Sequence, residues 1–128
     1  MYYVVDTHAF IWYLVDDPRL SKKAKEIFAL SDIGRATLIV SAVVMLECMA
    51  ILEKKKVKLN FEEILLKISQ ASNFIFAEIN FGLIIETNRI KGTRDLHDRV
   101  IIATAKLYGA DLVSKDAQIR KIYQRTVW

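Results

Sequence analysis

Four acidic residues lie where a sheet of parallel strands would bring carboxylates together. Two of them follow predicted strands, and two lie in the first or second turn of predicted helices. Open α/β sheets bind their ligands at the carboxyl ends of the strands, so all four side chains are predicted to share one rim of the sheet. These residues are Asp6, Glu47, Asp98 and Asp116.

Glu47 is the acid that no local rule of helix formation explains. It lies too far inside its predicted helix to act as a cap, and the residues three and four positions away are apolar on both sides. A buried carboxylate without a partner is costly, so Glu47 needs either a distant arginine or a cation. The neighbours on its helix face are Val43, Val44, Ala50 and Ile51.

The other acids also have ordinary explanations as helix caps. Asp95 has the spacing of an N-cap, with Asp98 as an acid in the first turn, where the helix dipole favours negative charge. Asp98 also shares a helix face with Ile101, which predicts that it points inward. Asp6 and Asp116 are equally suited to cap the helices that follow them.

Convergence of four carboxylates would require raised pKa values or a divalent cation to relieve their repulsion. A set of oxygen ligands without a Cys or His cluster favours Mg²⁺ or Mn²⁺ over zinc. A site of this kind can generate hydroxide, orient a phosphodiester and stabilise the leaving oxygen. The acids therefore predict phosphodiester hydrolysis.

Basic residues surround this acidic centre in the sequence. The formal net charge is +4, and without the four acids it rises to +8. Lys54 to Lys56 fit a solvated helix end, where cations complement the dipole. Cations near the proposed ligands are predicted to contact substrate phosphates. The main candidates are Arg94, Arg99 and Lys115, with Arg89 and Lys91 in the same stretch.

Alternating strands and helices must position these residues. Apolar periodicity and capping residues predict strands at 2–5, 37–41, 73–79 and 110–114, with an edge strand in the closing RTVW. They predict helices at 7–15, 21–31, 42–56, 58–71 with Asn60 as a cap, 80–92, from Asp95 to Gly109, and 115–123. The pattern predicts a single three-layer α/β/α sandwich with a parallel, about five-stranded sheet.

Composition indicates one soluble domain over residues 1–128. The chain is 53% hydrophobic, which favours an apolar contact surface and an oligomer or partner binder, yet no apolar run approaches the roughly 20 residues of a membrane-spanning helix. The start lacks a basic leader, so no signal peptide is expected. The single Cys48 excludes an internal disulfide and agrees with the reducing cytoplasm.

Six segments of the sequence match one known family in that family's order: VVDTHAFIW, DDPRLS, VSAVVMLE, RDLHDRVIIATA, LVSKD and RTVW. From end to end, the sequence resembles the PIN-domain ribonucleases, and specifically the toxin branch called VapC. The resemblance implies a parallel five-stranded α/β/α fold and a Mg²⁺- or Mn²⁺-dependent endoribonuclease. It also implies a homodimer and a type II toxin held inactive by its cognate antitoxin.

The family's functional positions can be assigned residue by residue. Its acidic quartet falls on Asp6, Glu47, Asp98 and Asp116, and an assisting acid falls on Asp95. Hydroxyl positions that often orient ligands fall on Thr7, Ser41 and Ser114, although each is equally a cap or strand-end group here.

One departure from the family pattern affects the loop before the third acid. The toxin branch commonly reads D-P-F-D-R, and this chain has Leu96 and His97 in place of the Pro-Phe pair. The change bears on loop shape and substrate fit more than on metal binding. His97 is expected to be an exposed bystander beside a cap rather than a general base, and His8 is interpreted in the same way.

Two other functions fit parts of the sequence. A phosphoryl-accepting receiver domain has a similar length, fold class and acidic rim, with Lys115 after a strand. It needs an aspartate at the end of the third strand, however, and NFIFAEI has none there. An inactive PIN scaffold that binds RNA or an antitoxin would keep the fold without catalysis, and the intact quartet argues against it.

Aromatic and apolar residues suggest where partners would bind. Tyr2, Tyr3, Trp12 and Tyr13 could stack RNA bases, but core packing is the preferred interpretation for most of them. The predicted helices at 21–31 and 42–56 are candidates for an apolar groove that holds an antitoxin helix.

Overall fold

A five-stranded parallel sheet forms the centre of the computed structural model, which describes residues 1–55 and 58–128. The strands are β1 (Tyr2–Val5), β2 (Thr37–Ser41), β3 (Phe74–Ala77), β4 (Asp111–Val113) and β5 (Thr126–Val127). Their order across the sheet is β3-β2-β1-β4-β5, and every neighbouring pair is parallel. The predicted edge position of the last strand is confirmed.

Helices connect the strands in the order predicted from the sequence. Within the described ranges they are α1 (Thr7–Leu14), α2 (Lys22–Asp32), α3 (Ala42–Lys55), α4 (Phe61–Gln70), α5 (Phe81–Arg89), α6 (Leu96–Tyr108) and α7 (Ala117–Ile122). The predicted α/β/α sandwich with a parallel five-stranded sheet is confirmed. None of these helices combines the length and apolarity that crossing a membrane requires.

The central strands are buried on both faces, as parallel sheets covered by helices require. Val4 and Val5 of β1 and Leu112 of β4 are fully buried, and all residues of β2 after Thr37 are buried as well. β-branched and aliphatic residues suit such strands because they pack against helices above and below the sheet. The carboxyl ends of β1, β2 and β4 consequently lie side by side in a fixed frame.

Helix starts follow the predicted capping chemistry. Asp6, Ser21, Asn60, Asp95 and Asp116 each precede a helix with extended backbone, and each side chain accepts a hydrogen bond from an amide of the first turn. The helix α6 ends at Gly109, whose φ of 59° lies in the left-handed region that favours glycine.

Several element boundaries differ from the prediction. The helix α5 ends at Arg89 rather than near Gly92, because the chain turns extended at Ile90 and buries that side chain. The helix α4 begins at Phe61 after its predicted cap Asn60, which confirms that cap. The strand β3 covers only Phe74–Ala77, and Lys56 of the predicted helix 42–56 lies outside the described residues.

Candidate active site

An open cavity of about 880 Å³ lies at the carboxyl ends of β1 and β4, with Glu47 of α3 at its wall. All four sequence-predicted acids line it, together with the accessory Asp95. Within residues 1–55 and 58–128, however, no group of three or more His, Cys, Asp or Glu side chains is already arranged to hold a metal ion. The carboxylates therefore share one cavity without forming a preassembled cage.

Asp6 is fixed at the point where β1 passes into α1. Its backbone amide donates to the carbonyl of Val113 at 3.1 Å, which ties it to β4. Its Oδ1 accepts a hydrogen bond from the amide of Ala9 at 2.8 Å. Burial raises the pKa of Asp6, while the Ser114 hydroxyl, the Ala9 amide and His8 act in the opposite direction.

Asp116 occupies the equivalent position between β4 and α7. Its Oδ1 accepts hydrogen bonds from the amides of Gln118 at 2.8 Å and Ile119 at 3.2 Å. The Ser114 hydroxyl in turn accepts from the amide of Asp116 at 3.1 Å. Asp6 and Asp116 thus both use Oδ1 as a helix cap.

Glu47 on α3 is held by two partners from other elements. Its Oε1 accepts a hydrogen bond from the Thr7 hydroxyl at 2.9 Å, and its Oε2 lies 3.2 Å from Nδ1 of His97. Among the described residues no arginine or lysine pairs with it, so the arginine alternative fails there. The side chain is 28% exposed, because it reaches from the apolar helix face into the cavity.

Asp95 and Asp98 have different roles at the start of α6, since Asp95 caps the helix and Asp98 lies among the carboxylates of the cavity. Oδ1 of Asp95 accepts the amide of Asp98 at 3.0 Å, which confirms the predicted cap. Burial raises the pKa of Asp98 to about 6, with further contributions from Asp95, Asp116, Glu47 and Asp6. The carboxylates are therefore close enough to repel one another.

His97 is exposed, as expected, but it does not stand apart from the acids. Its ring is half-exposed, but it lines the cavity and contacts Glu47 rather than standing apart beside a cap. His8 is exposed and also lines the cavity, with its ring 5.7 Å from that of Trp12. Neither role has a signal in the sequence, because the contacts depend on how α1, α3 and α6 pack.

The predicted hydroxyls have different surroundings. Thr7 lines the cavity and holds Glu47. Ser114 is fully buried and contacts the backbone of Asp116. Ser41 is fully buried at the end of β2, where its hydroxyl accepts from the amide of Val43 at 3.2 Å. Ser41 is thus a capping group.

The cations at the cavity are only partly those predicted. Lys115 lines it, as do Arg19 and Lys55. Lys55 had been interpreted as part of a solvated helix end, and Arg19 had not been singled out. Arg19 forms a bidentate pair with Asp17, with distances of 3.0 and 2.8 Å. Arg19 reaches the acids because of the turn after α1, so its spacing along the sequence does not indicate that it lies at the cavity.

Arg94 and Arg99 do not line the acidic cavity. They contribute instead to a separate pocket beside the loop that joins α5 and α6. Nη2 of Arg99 donates to the carbonyl of Thr87 at 3.1 Å. Their predicted role as phosphate contacts therefore stays a prediction, and any phosphate that they bind would lie in this separate pocket.

Most of the aromatic candidates pack as expected. Tyr3 is buried, and the ring of Tyr13 stacks on Phe28 at 4.1 Å. Tyr2 is half-exposed on the first strand. Trp12 is 8% exposed, yet its ring lies 4.8 Å from the guanidinium carbon of Arg19 and 5.8 Å from Nζ of Lys115. Trp12 thus supports two cations at the cavity wall.

A parallel sheet with acids at its carboxyl rim defines the class of α/β proteins with a carboxylate-lined site. A PIN domain model matches residues 3–124, and this chain belongs to the PIN-domain family. Because the family match covers nearly the whole chain, the receiver-domain alternative is excluded. No curated protein matches the sequence significantly.

Solved structures with the same fold include chains of three complexes. A toxin-antitoxin complex from Klebsiella pneumoniae gives a TM-score of 0.71 at 18% identity, covering 98% of this chain and 95% of that one. VapBC2 from Rickettsia felis, bound to a DNA fragment from their promoter, gives 0.67 at 15% identity, with coverages of 99% and 96%. FitAcB from Neisseria gonorrhoeae gives 0.61 at 15% identity, with coverages of 91% and 89%.

Proposed function

We propose that this protein is a VapC-type toxin, a metal-dependent endoribonuclease that hydrolyses RNA phosphodiester bonds. The observation that carries the proposal is one cavity lined by six carboxylates, of which Asp6 and Asp116 directly follow the parallel strands β1 and β4. Membership of the PIN-domain family supports nuclease activity, and the basic surroundings of the acids support a polyanionic substrate.

The donor set of the cavity fits Mg²⁺ or Mn²⁺. The proposed ligands Asp6, Glu47, Asp98 and Asp116 offer oxygen atoms, which both ions prefer. Asp6 and Asp116 each use Oδ1 for a cap, so Oδ2 of each takes no part in the cap. Burial and, after it, repulsion by the neighbouring carboxylates raise the pKa of Asp98, and a bound cation would relieve that repulsion.

The ion would supply Lewis-acid polarisation of the phosphodiester and a source of hydroxide at neutral pH. The protein's own residues would orient the metal ligands and attract the RNA strand. Thr7 holds one oxygen of Glu47 in place, and Ser114 fixes the backbone of Asp116. Arg19, Lys55 and Lys115 at the wall of the cavity attract the phosphates of the strand.

The proposal includes partners and a location. Two of the similar structures are a toxin-antitoxin complex and VapBC2, and we propose a cognate antitoxin for this chain as well. We also propose a homodimer, as the resemblance to VapC implies. The protein would act in the cytoplasm, where the buried thiol of Cys48 stays reduced.

Purified protein, freed of antitoxin, tests the proposal with structured RNAs in Mg²⁺, Mn²⁺ or EDTA. Wild type is expected to cleave only with metal, and Asp6→Asn and Glu47→Gln are expected to lose about 100-fold or more in rate. Glu53→Gln is the matched control, because Glu53 is an exposed acid on the same helix outside the cavity.

The two remaining outcomes separate the alternatives. Cleavage that persists in EDTA, or equally in both cavity variants, would overturn the mechanism. Tight RNA binding without cleavage under any metal would instead support an inactive PIN scaffold.

A further inference from the structure

A second pocket, of about 520 Å³, lies beside the loop between α5 and α6. Three of the residues that line it are cationic, and none of its lining residues in the described part of the chain is acidic. The cations are Lys91, Arg94 and Arg99. We call this site the basic pocket.

The loop that forms the basic pocket is fixed at several points. Ile90 is buried in the core, and Nε2 of Gln118 donates to the carbonyl of Gly92 at 3.2 Å. Gly92 has a φ of 99°, and a Cβ there would lie 3.0 Å from Cγ1 of Ile122. The close approach of the loop to α7 therefore requires glycine, and the pocket is a built feature of the fold.

In the part of the chain that the structure describes, no carboxylate pairs with the cations of the basic pocket. Within residues 1–55 and 58–128, neither Lys91 nor Arg94 forms an ion pair. Arg99 donates through Nη2 to the carbonyl of Thr87, but its buried Nε has no hydrogen-bond partner. A buried donor without a partner costs free energy, and clustered cations repel one another. Both costs fall when an anion is bound.

The basic pocket adjoins the acidic cavity across the first turns of two helices. On α6 and its approach, Asp95 and Asp98 line the cavity whereas Arg94 and Arg99 line the basic pocket. On α7, Ile119 lines the cavity and Gln118 lines the basic pocket. An extended strand held at the acids is thus placed to reach the basic pocket.

We infer that the basic pocket binds a phosphate group of the RNA strand, at a nucleotide other than the one that is cleaved. Arginine and lysine suit this ligand, because the guanidinium fork pairs with phosphate oxygens and the ammonium adds a point charge. The assignment to RNA rests on the proposed function. A free phosphate ion has the same chemistry and is the competing source.

Equilibrium binding of a fluorescent single-stranded RNA tests the inference. The measurement is made in EDTA and in the Asp6→Asn background, so that cleavage does not interfere. The double variant Lys91→Gln/Arg94→Gln is compared with Lys22→Gln/Lys23→Gln, which removes the same charge from exposed positions on α2. Arg99 is left unchanged because it also holds α5 through Thr87.

The pocket variant is expected to bind about tenfold more weakly and to lower the slope of log K against log salt by about 0.7 to 1.4. The control is expected to stay within about twofold of the parent. Equal binding by both variants would overturn the inference.

A second arm identifies the source of the phosphate. Inorganic phosphate is added to the parent and to the pocket variant, and the melting temperature is measured. Stabilisation of the parent alone, combined with unchanged RNA affinity in the pocket variant, would assign the site to a free anion and overturn the RNA assignment.

Cleavage of the same RNA by the metal-loaded wild-type chain separates this inference from the proposed function. Cleavage with unchanged binding by the pocket variant means that the inference fails while the proposed function stands. If binding depends on the pocket but no cleavage occurs, the inference stands and the proposed function fails, since the strand then binds a chain that is not a nuclease.

Discussion

Asp98 is the acid of the cavity whose pKa responds to all of the neighbouring carboxylates named above. As an acid in the first turn of α6 it benefits from the helix dipole, an effect of about 0.3–1 kcal/mol. Its pKa is nevertheless raised to about 6, with burial as the largest cause and four neighbouring carboxylates as the others. Burial and repulsion therefore outweigh the dipole. In the metal-free protein the ionised carboxylate of Asp98 is therefore destabilising, and a bound cation would offset its repulsion by the neighbouring carboxylates.

Replacing Asp98 by Asn is expected to stabilise the metal-free protein above pH 6. The pKa of Asp98 is about 6 in the folded state, against an ordinary value of 3.8 in the unfolded chain, so wild-type stability falls as the pH rises through this window. After allowance for solvent screening, the gain at pH 8 is about 1 kcal/mol, or about 4 °C in melting temperature.

Thermal unfolding of both proteins in EDTA at pH 4 and pH 8 measures the effect. The gain should disappear at the lower pH, where the folded protein holds the Asp98 proton. Glu62→Gln is the control, because Glu62 is an exposed acid in the first turn of α4. A stability gain of the same size in Glu62→Gln would contradict the explanation.

Thr7→Val is expected to weaken Mn²⁺ binding about tenfold by releasing Glu47. The hydroxyl of Thr7 donates to Oε1 of Glu47 at 2.9 Å, and valine keeps the buried shape while losing that donor. Isothermal titration calorimetry with Mn²⁺ gives the affinity directly. Thr7→Ser restores the hydroxyl and should recover most of it, whereas equal loss in both variants would point to a packing defect.

At the scale of elements, the fold places its carboxylates by using them as helix caps. Asp6, Asp95 and Asp116 each start a helix through one side-chain oxygen, which fixes the carboxylate relative to the sheet. The cap explanation and the functional one are therefore not rivals at these positions. The same hydrogen bonds that begin α1 and α7 hold the acids beside the cavity.

Asp116→Asn and Asp116→Ala should separate the two roles. Asparagine caps helices about as well as aspartate, so Asp116→Asn is expected to retain stability while losing metal binding. Asp116→Ala removes the cap as well and is expected to lower the free energy of unfolding by about 1 kcal/mol more. Thermal unfolding reports the first property and Mn²⁺ titration the second. Equal stability of the two variants would show that the cap contributes little.

The sequence was sufficient to predict which elements form and in what order. Apolar runs, capping residues and glycine identify strands and helices because those signals are local. The early end of α5 was missed, since burial of Ile90 is a tertiary effect. The cations Arg19 and Lys55 were missed for the same reason: neighbouring elements, rather than spacing along the chain, bring them to the acids.

At the scale of the whole molecule, exposed apolar side chains are concentrated away from the helices predicted to form the antitoxin groove. On α2 the exposed side chains are mostly charged, and on α3 Leu46 is the main exposed apolar residue within the described chain. More exposed apolar side chains lie on β3, the segment that follows it, α5 and the end of α6, and we call this set the apolar surface. Its exposed members are Phe76, Ile79, Phe81, Ile84, Ile85, Leu107 and Tyr108.

This apolar surface is where we expect the homodimer to form. Large exposed apolar patches on small proteins mark contact sites, and β3 lies at the edge of the sheet. Wild type is expected to sediment as a dimer at micromolar concentration. Phe81→Lys/Ile84→Lys should shift it to the monomer, because a dimer would have to bury both new charges without partners.

The matched control for this experiment is Leu65→Lys/Leu66→Lys on α4. These leucines are 44% and 56% exposed, so the control adds the same charge to exposed apolar positions outside the surface. Sedimentation velocity, with circular dichroism as a check on folding, distinguishes the results. Dissociation by both double variants would indicate a general effect of charge. A wild-type monomer would show that the apolar surface serves another partner, of which the antitoxin is the first to test.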